Sequence, residues 1–266
     1  MAKYAGIDIS KWQSVDYKAL ADGKILGHKV KFVMIRIGYG TSLDIHALEH
    51  IRGCLSAGLY VGLYLYSVAK NPAQAKAEAE WLLSVIKTYK LDGKITYPIA
   101  YDLEESWQIK LGKTVCTLMC RAFMDTIAAA NYQPMLYTNV NWICCHLDYD
   151  ELRDYPLWLA AYISEDKIRN KYGITNQVMW QHSVAGNKYY DNLKVGSVPG
   201  ITGECDCNWA YEGLAANIRK TGKNKLKSEN KVRITAVKTV DRESVTSVCR
   251  VLTADGFSII RTEVIS

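Results

Sequence analysis

The sequence predicts an α/β fold: an irregular eight-stranded (β/α) barrel, TIM-like but with a reduced helix count, followed by a small C-terminal β-α-β element. Three observations predict it. Eight short apolar or aromatic runs read as strands. The early ones alternate with helical patterns, which favours a parallel sheet buried on both faces. The helices shorten or vanish after residue 140, which makes the barrel irregular. Eight strands in 266 residues suit a closed barrel better than an open sheet.

The strand runs are "YAGIDIS" (4–10), "KFVMIRIGYG" (31–40), "YVGLYLYSVA" (60–69) and "ITYPIAYDLE" (95–104). They continue with "QPMLYTNV" (133–140), "YPLWLAAYIS" (155–164), "QVMWQHS" (177–183) and "CDCNWAY" (205–211). Between the early strands, residues 44–58 carry apolar groups at three- and four-residue steps, with Gly58 suited to the C-cap. Residues 71–89 open with Asn71 as N-cap and Pro72 at the first helical position. Residues 114–131 form a third helical pattern, capped by Thr114.

The chain divides into a barrel over 1–218, a basic linker over 219–231 and a small element over 232–266. From Arg219 to Arg233 there are seven Lys/Arg and one Glu, a net of +6 that equals the net charge of the whole chain. The rest of the chain is electroneutral. Such a tract is either a solvated linker or a surface for anionic polymers. Thirty-five residues are too few to bury a good core alone, so 232–266 is expected to dock on the barrel or to pair with copies of itself, giving a homo-oligomer.

Composition narrows the function classes. There are 18 Tyr and 7 Trp but only 3 Phe. Rings with a polar handle suit core edges and sugar-binding grooves alike. No apolar run approaches the roughly 20 residues of a membrane-spanning helix. The opening "MAKYAGIDIS" lacks the apolar region of a signal peptide, so synthesis and folding in a cytoplasm are expected. Neither a nucleic acid nor a membrane span is expected. The eight cysteines form no CxxC pair and read as small buried hydrophobes with free thiols. His46 and His50 lie four apart on a helix and read as a solvated face. No metal and no cofactor is expected.

In α/β barrels, chemistry sits at the C-terminal ends of the strands. Those ends carry Asp8, then Arg36 and Tyr39, then Tyr64 and Tyr66, then Asp102 and Glu104. Next come Tyr137, then Trp158 and Tyr162, then Trp180 and Gln181, and finally Asp206. Asp102 and Glu104 are two apart and project to one face of a strand. Two carboxylates in one cavity cannot both ionise freely, so one pKa rises. A carboxyl that stays protonated near neutral pH can protonate a leaving group, which is the chemistry of glycoside hydrolysis. Alone, the pair also fits an ordinary solvated strand end with Glu105 as a bystander. Asp8, Asp206 and the aromatic strand ends shift the balance toward a site.

The ordered set "GIDISKWQ", "FVMIRIGYG", "AGLYVGLYLYS", "YPIAYDLEE", "LWLAAY", "MWQHS" and "DCNWAY" resembles the glycoside hydrolase family 25 lysozymes over residues 4–212. The resemblance implies N-acetylmuramidase activity: cleavage of the β-1,4 bond between N-acetylmuramic acid and N-acetylglucosamine in peptidoglycan. The family occurs in bacteriophage endolysins, bacterial autolysins and fungi. With no signal peptide expected, the resemblance points to a phage or prophage endolysin that waits in the host bacterial cytoplasm until released to the cell wall, with 232–266 as a wall-binding or self-association element. By the same resemblance Glu104 matches the general acid, and Asp102 the partner of the substrate's 2-acetamido nucleophile. Asp8 and Asp206 match the two further acids of the groove. Arg36, Tyr39, Tyr64, Tyr66, Tyr137, Trp158, Tyr162, Trp180 and Gln181 are the expected substrate-binding positions. The carboxylate separation is not readable from sequence, so direct attack by a carboxylate or by water stays open. A wall-binding module without catalysis, and a hydrolase of another N-acetylated polysaccharide such as chitin, are the alternatives.

Overall fold

The computed structural model describes residues 3–175, 177–211 and 213–225. Eight strands form the barrel: β1 (Lys3–Ile9), β2 (His28–Tyr39), β3 (Tyr60–Tyr66) and β4 (Ile99–Asp102), then β5 (Pro134–Asn139), β6 (Leu157–Ala160), β7 (Gln177–Ala185) and β8 (Cys205–Tyr211). The ring runs β1-β8-β7-β6-β5-β4-β3-β2 and closes by pairing β1 with β2. Each of the eight falls on one of the expected runs.

One strand departs from the expected parallel sheet. β8 runs antiparallel to both of its neighbours, β1 and β7. The reason is in its connection: residues 186–204 contain no helix. A parallel partner needs a crossover, usually helical, whereas an antiparallel partner can be reached by a return loop. The reversal puts the start of β8, not its end, beside the C-terminal end of β1, with Asp8 opposite Asp206.

The helices thin out along the chain. α1 (Tyr17–Asp22), α2 (Ala47–Ser56), α3 (Pro72–Thr88) and α4 (Lys113–Ala129) precede the short α5 (Val140–Cys145), α6 (Glu165–Tyr172) and α7 (Leu214–Lys220). Asn71 caps α3 as expected, its side chain accepting from the Gln74 N–H at 3.0 Å. Thr114 does not cap α4; Gly112 takes that place at φ +87°, a conformation open to glycine. Gly58 follows the end of α2 at φ +77°. Among the described residues no helix is long and apolar enough to cross a membrane.

Side chains alternate between two cores. The outer layer lies between the strands and the helices. The inner one fills the barrel with Phe32, Met34, Tyr97, Met135, Trp158 and Met179, among others. Two glycines make room for it. A Cβ on Gly6 would stand 2.4 Å from the Phe32 ring, and one on Gly62 2.4 Å from the Met34 sulfur.

Within the polar stretch expected as linker from residue 219, α7 continues to Lys220 and a 3₁₀ turn spans Lys223–Lys225. Asn224 is fully buried. It donates to the carbonyls of Ile95 and Tyr97 at 3.0 and 2.8 Å, and accepts from the Gln133 N–H at 2.7 Å. This seals the N-terminal end of the barrel. The remainder of the linker and the element over 232–266 lie outside the described residues. Cys54, Cys116, Cys120, Cys205 and Cys207 are buried free thiols, whereas Cys144 and Cys145 are exposed; Cys249 lies outside the described residues. His50 is not part of a solvated face: it is 3% exposed and held by the Tyr17 hydroxyl at 3.0 Å and the Ser10 carbonyl at 3.2 Å.

Candidate active site

Asp102 is the last residue of β4 and Glu104 lies just beyond it. Leu103 between them turns outward into the other core, so both acids face the barrel mouth. Asp8 near the end of β1 and Asp206 near the start of β8 complete a set of four. They line an open cleft of about 220 Å³ with Arg36, Tyr64, Tyr66, Tyr137, Trp158 and Gln181.

The four acids are held differently. Asp8 accepts from two buried amides, Asn208 Nδ2 at 2.7 Å and Gln181 Nε2 at 2.9 Å. Those amides are oriented in turn. Gln181 Oε1 accepts from the hydroxyls of Tyr162 at 2.9 Å and Tyr137 at 3.2 Å, so its NH₂ faces Asp8. Asn208 Oδ1 accepts from the Trp158 indole at 2.8 Å, with the same result. Burial raises the Asp8 pKa to about 6, and the two amide donors oppose the rise. Asp102 is 3% exposed, and its Oδ1 has no hydrogen-bond partner among the described residues. Burial, then the charges of Glu104 and Asp8, push its pKa well up, against the pull of Arg36. Asp206 is pushed up likewise, by burial and by Asp8 and Glu104. Glu104 is partly buried; burial first, then Asp8 and Glu105, raise it to about 7.

One cation stands among them. The Arg36 guanidinium pairs with buried Asp44 through Nε and Nη2, both at 2.9 Å. Asp44 also accepts from the Lys11 and His46 N–H groups. Arg36 is therefore oriented by a carboxylate outside the cleft and only partly offsets the four within it.

A second polar network holds the loops around Asp102. The Ser67 N–H donates to the Asp102 carbonyl at 2.8 Å. Glu78, 3% exposed on α3, accepts from the Ser67 hydroxyl at 2.8 Å, the Val68 N–H at 2.9 Å and the Tyr101 hydroxyl at 3.2 Å. Gln108 links the same loop to the far side of Glu104: Nε2 donates to the Ala69 carbonyl at 3.0 Å, and Oε1 accepts from the Glu105 N–H at 3.1 Å. Glu105 is tied into the rim of the cleft. Its carboxylate accepts from the Tyr39 hydroxyl at 2.9 Å, and it caps the 3₁₀ turn Ser106–Leu111.

Three expected binding residues lie elsewhere. Trp180 belongs to the outer core, its indole donating to the Ala161 carbonyl at 2.7 Å. It neighbours Gln181 on β7, and consecutive strand residues point to opposite faces, so only one of the two can face the cleft. Tyr162 stands behind Gln181. Tyr39, 49% exposed, stands at the rim, stacked on Tyr66 at 5.2 Å. Residues not singled out also line the cleft: Ser10, Gln13 and Trp12, the last 75% exposed. Their signal was adjacency to Asp8 in "GIDISKWQ". Glu78 had a signal too, falling in one helical stripe with Ala75, Ala79 and Leu82. Among the described residues, no group of His, Cys, Asp or Glu is arranged to hold a metal ion.

The comparisons agree with this geometry. The chain resembles the catalytic domain of endolysin ply40 from bacteriophage P40 of Listeria monocytogenes at 25% identity and a TM-score of 0.63, over 82% of this chain and 97% of that one. The Clostridium perfringens spore cortex lytic enzyme SleM is 21% identical with a TM-score of 0.64, over 80% and 69% of the two chains. A family GH25 lysozyme from Aspergillus fumigatus is 21% identical with a TM-score of 0.56, over 82% and 98%. At 21% these last two show a shared fold. No curated protein matches the sequence. The family model described as glycosyl hydrolases family 25 matches residues 7–189, more than half of the chain, a span that includes Asp8, Asp102, Glu104 and Gln181. On that span the chain belongs to glycosyl hydrolases family 25 and is a glycoside hydrolase.

Proposed function

We propose that this hydrolase cleaves the β-1,4 bond between N-acetylmuramic acid and N-acetylglucosamine in bacterial peptidoglycan, as an endolysin released from the host cytoplasm to the wall. The observation that carries the mechanism is the unequal environment of Asp102 and Glu104. Glu104, with a pKa near 7, is the proton donor: its carboxyl proton passes to the glycosidic oxygen as the anomeric C–O bond breaks. Buried Asp102 has an oxygen without a partner, suited to accept from the acetamido N–H of the sugar being cleaved. Oriented in this way, the acetamido carbonyl oxygen bonds to the anomeric carbon and the leaving sugar departs. Water then bonds to the anomeric carbon and displaces the acetamido oxygen, restoring the acetamido group, while its proton passes to the Glu104 carboxylate, with net retention. Asp8, fixed by its two amides, and Asp206 position the sugar and supply negative charge beside the developing cation.

Mass spectrometry of fragments from defined peptidoglycan tests the reading. New reducing ends should be N-acetylmuramic acid; reducing N-acetylglucosamine ends would refute it. Glu104→Gln should lose about 10²–10⁴-fold in kcat yet still bind walls, and wild-type kcat/KM should fall as pH rises through about 7.

A further inference from the structure

Outside the cleft, the loop after β7 displays two large rings to solvent: Tyr189 is 78% exposed and Tyr190 52%. This loop is firmly built. Asn187 Oδ1 accepts from the N–H groups of Tyr189 and Tyr190 at 2.9 and 3.0 Å, while its Nδ2 donates to both oxygens of Glu204. Asp191 accepts from the N–H groups of Val195 and Gly196 at 2.8 and 2.7 Å. The Val184 N–H donates to the Tyr190 carbonyl at 3.0 Å. The loop is thus fastened both to β7 and to the residue two before Asp206.

The exposed rings are continuous with the site. Tyr190 lies 5.4 Å from the Tyr162 ring, and the Tyr162 hydroxyl holds the Gln181 amide that grips Asp8. Across the barrel the same device recurs: half-exposed Tyr39 stacks on Tyr66, 5.2 Å away, which lines the cleft. One pair stands over β2 and β3, the other beyond β6 and β7, and the strand order puts these pairs on opposite sides of the ring. A linear polymer crossing the acids would meet an exposed tyrosine on each side.

We propose that Tyr190, with Tyr189 beside it, is a sugar-binding platform outside the catalytic cleft, holding a pyranose ring of the same glycan strand at a distance from the bond cut. A pyranose has a C–H face and a hydroxyl edge, which match the face and the phenol of a tyrosine. Ordering the loop in advance lowers the entropy lost on binding. The proposal rests on the muramidase reading, and the experiment separates the two.

Hydrolysis of long glycan strands stripped of peptide is compared with hydrolysis of the (N-acetylglucosamine–N-acetylmuramic acid)₂ tetrasaccharide, for wild type, Tyr190→Ala and Tyr190→Phe. Tyr190→Ala should raise KM on the long strands about fivefold with kcat nearly unchanged, the scale of one ring contact. The tetrasaccharide should be unaffected, and Phe should restore the long-strand KM. No change on long strands, an equal change on the tetrasaccharide, or a loss seen only when peptide stems are present would overturn the platform. If wild type cleaves neither substrate, the muramidase reading falls. Calorimetry of a peptide-free hexasaccharide with Glu104→Gln, with and without Tyr190→Ala, then decides. Weaker binding without the ring supports the platform; equal or absent binding overturns it.

Discussion

The bottom of the barrel and its mouth stand on the same eight strands and are filled by opposite chemistry. At the bottom, Tyr97 is stacked between Phe32 at 4.8 Å and Tyr60 at 5.6 Å, with Met34, Met135 and Met179 in the same inner core. At the mouth, four carboxylates share the cleft with Arg36 alone among the described cations. The bottom stabilises the fold by burying rings and thioethers. The mouth costs stability, since each acid is desolvated and repelled by its neighbours. A closed ring lets the first support the second, because strands fixed by one layer have little freedom to splay at the other. The site is a strained end on a well-packed base.

The largest expected effect removes the base. Phe32→Ala should cost about 3–5 kcal/mol and lower Tm by about 10 °C in a thermal scan. With the protein still folded, kcat should stay within about twofold; a collapse of kcat alongside a small Tm change would mean that the two ends are not separable.

A middle effect loosens the mouth without touching substrate. Glu78→Ala strips Ser67, Tyr101 and the Val68 N–H of their shared acceptor, next to the carbonyl contact that holds Asp102. Misplacing a reacting group by an ångström can cost about 10²-fold, so kcat should fall about 10- to 100-fold with KM little changed. Glu78→Gln should recover part of the loss and restore the pH profile; a rise in KM alone would contradict a positioning role.

The smallest effect runs in the opposite direction. The folded-state pKa of Glu104 is raised from 4.5 to about 7. The proton-linked stability from this group is therefore full below about pH 4.5 and is lost as pH rises through about 7. Glu104→Gln removes that loss. The variant should melt a few degrees above wild type near pH 8, with the gap closing near pH 4. A variant less stable at both pH values would show that the carboxylate stabilises the mouth rather than costing it stability.

Much of this was legible in the sequence, for local reasons. Strand runs are short and apolar because both faces are buried, so all eight could be read one by one. Asp102 and Glu104 could be assigned to one face because the strand period is two. The same period argues against pairing Trp180 with Gln181 in the cleft, since neighbours on a strand diverge. Glu78 could be placed on the buried stripe of its helix, but Asp44 and Gln108 look like ordinary surface residues in the sequence; only packing reveals all three as buried holders of Arg36 and of the loops around Asp102.

The sequence by itself determined the strands, the helices that fade after residue 140 and the acids at the strand ends, because periodicity and spacing are local properties. The helix-free connection allows the reversed direction of β8, but only the tertiary structure decided the register that brings Asp206 opposite Asp8. It also decided which amides grip Asp8, which carboxyl of the pair is fully buried and which stays near neutral pKa. Those outcomes depend on desolvation and on distances between residues up to 200 positions apart, such as Asp8 and Asn208. No local pattern encodes them.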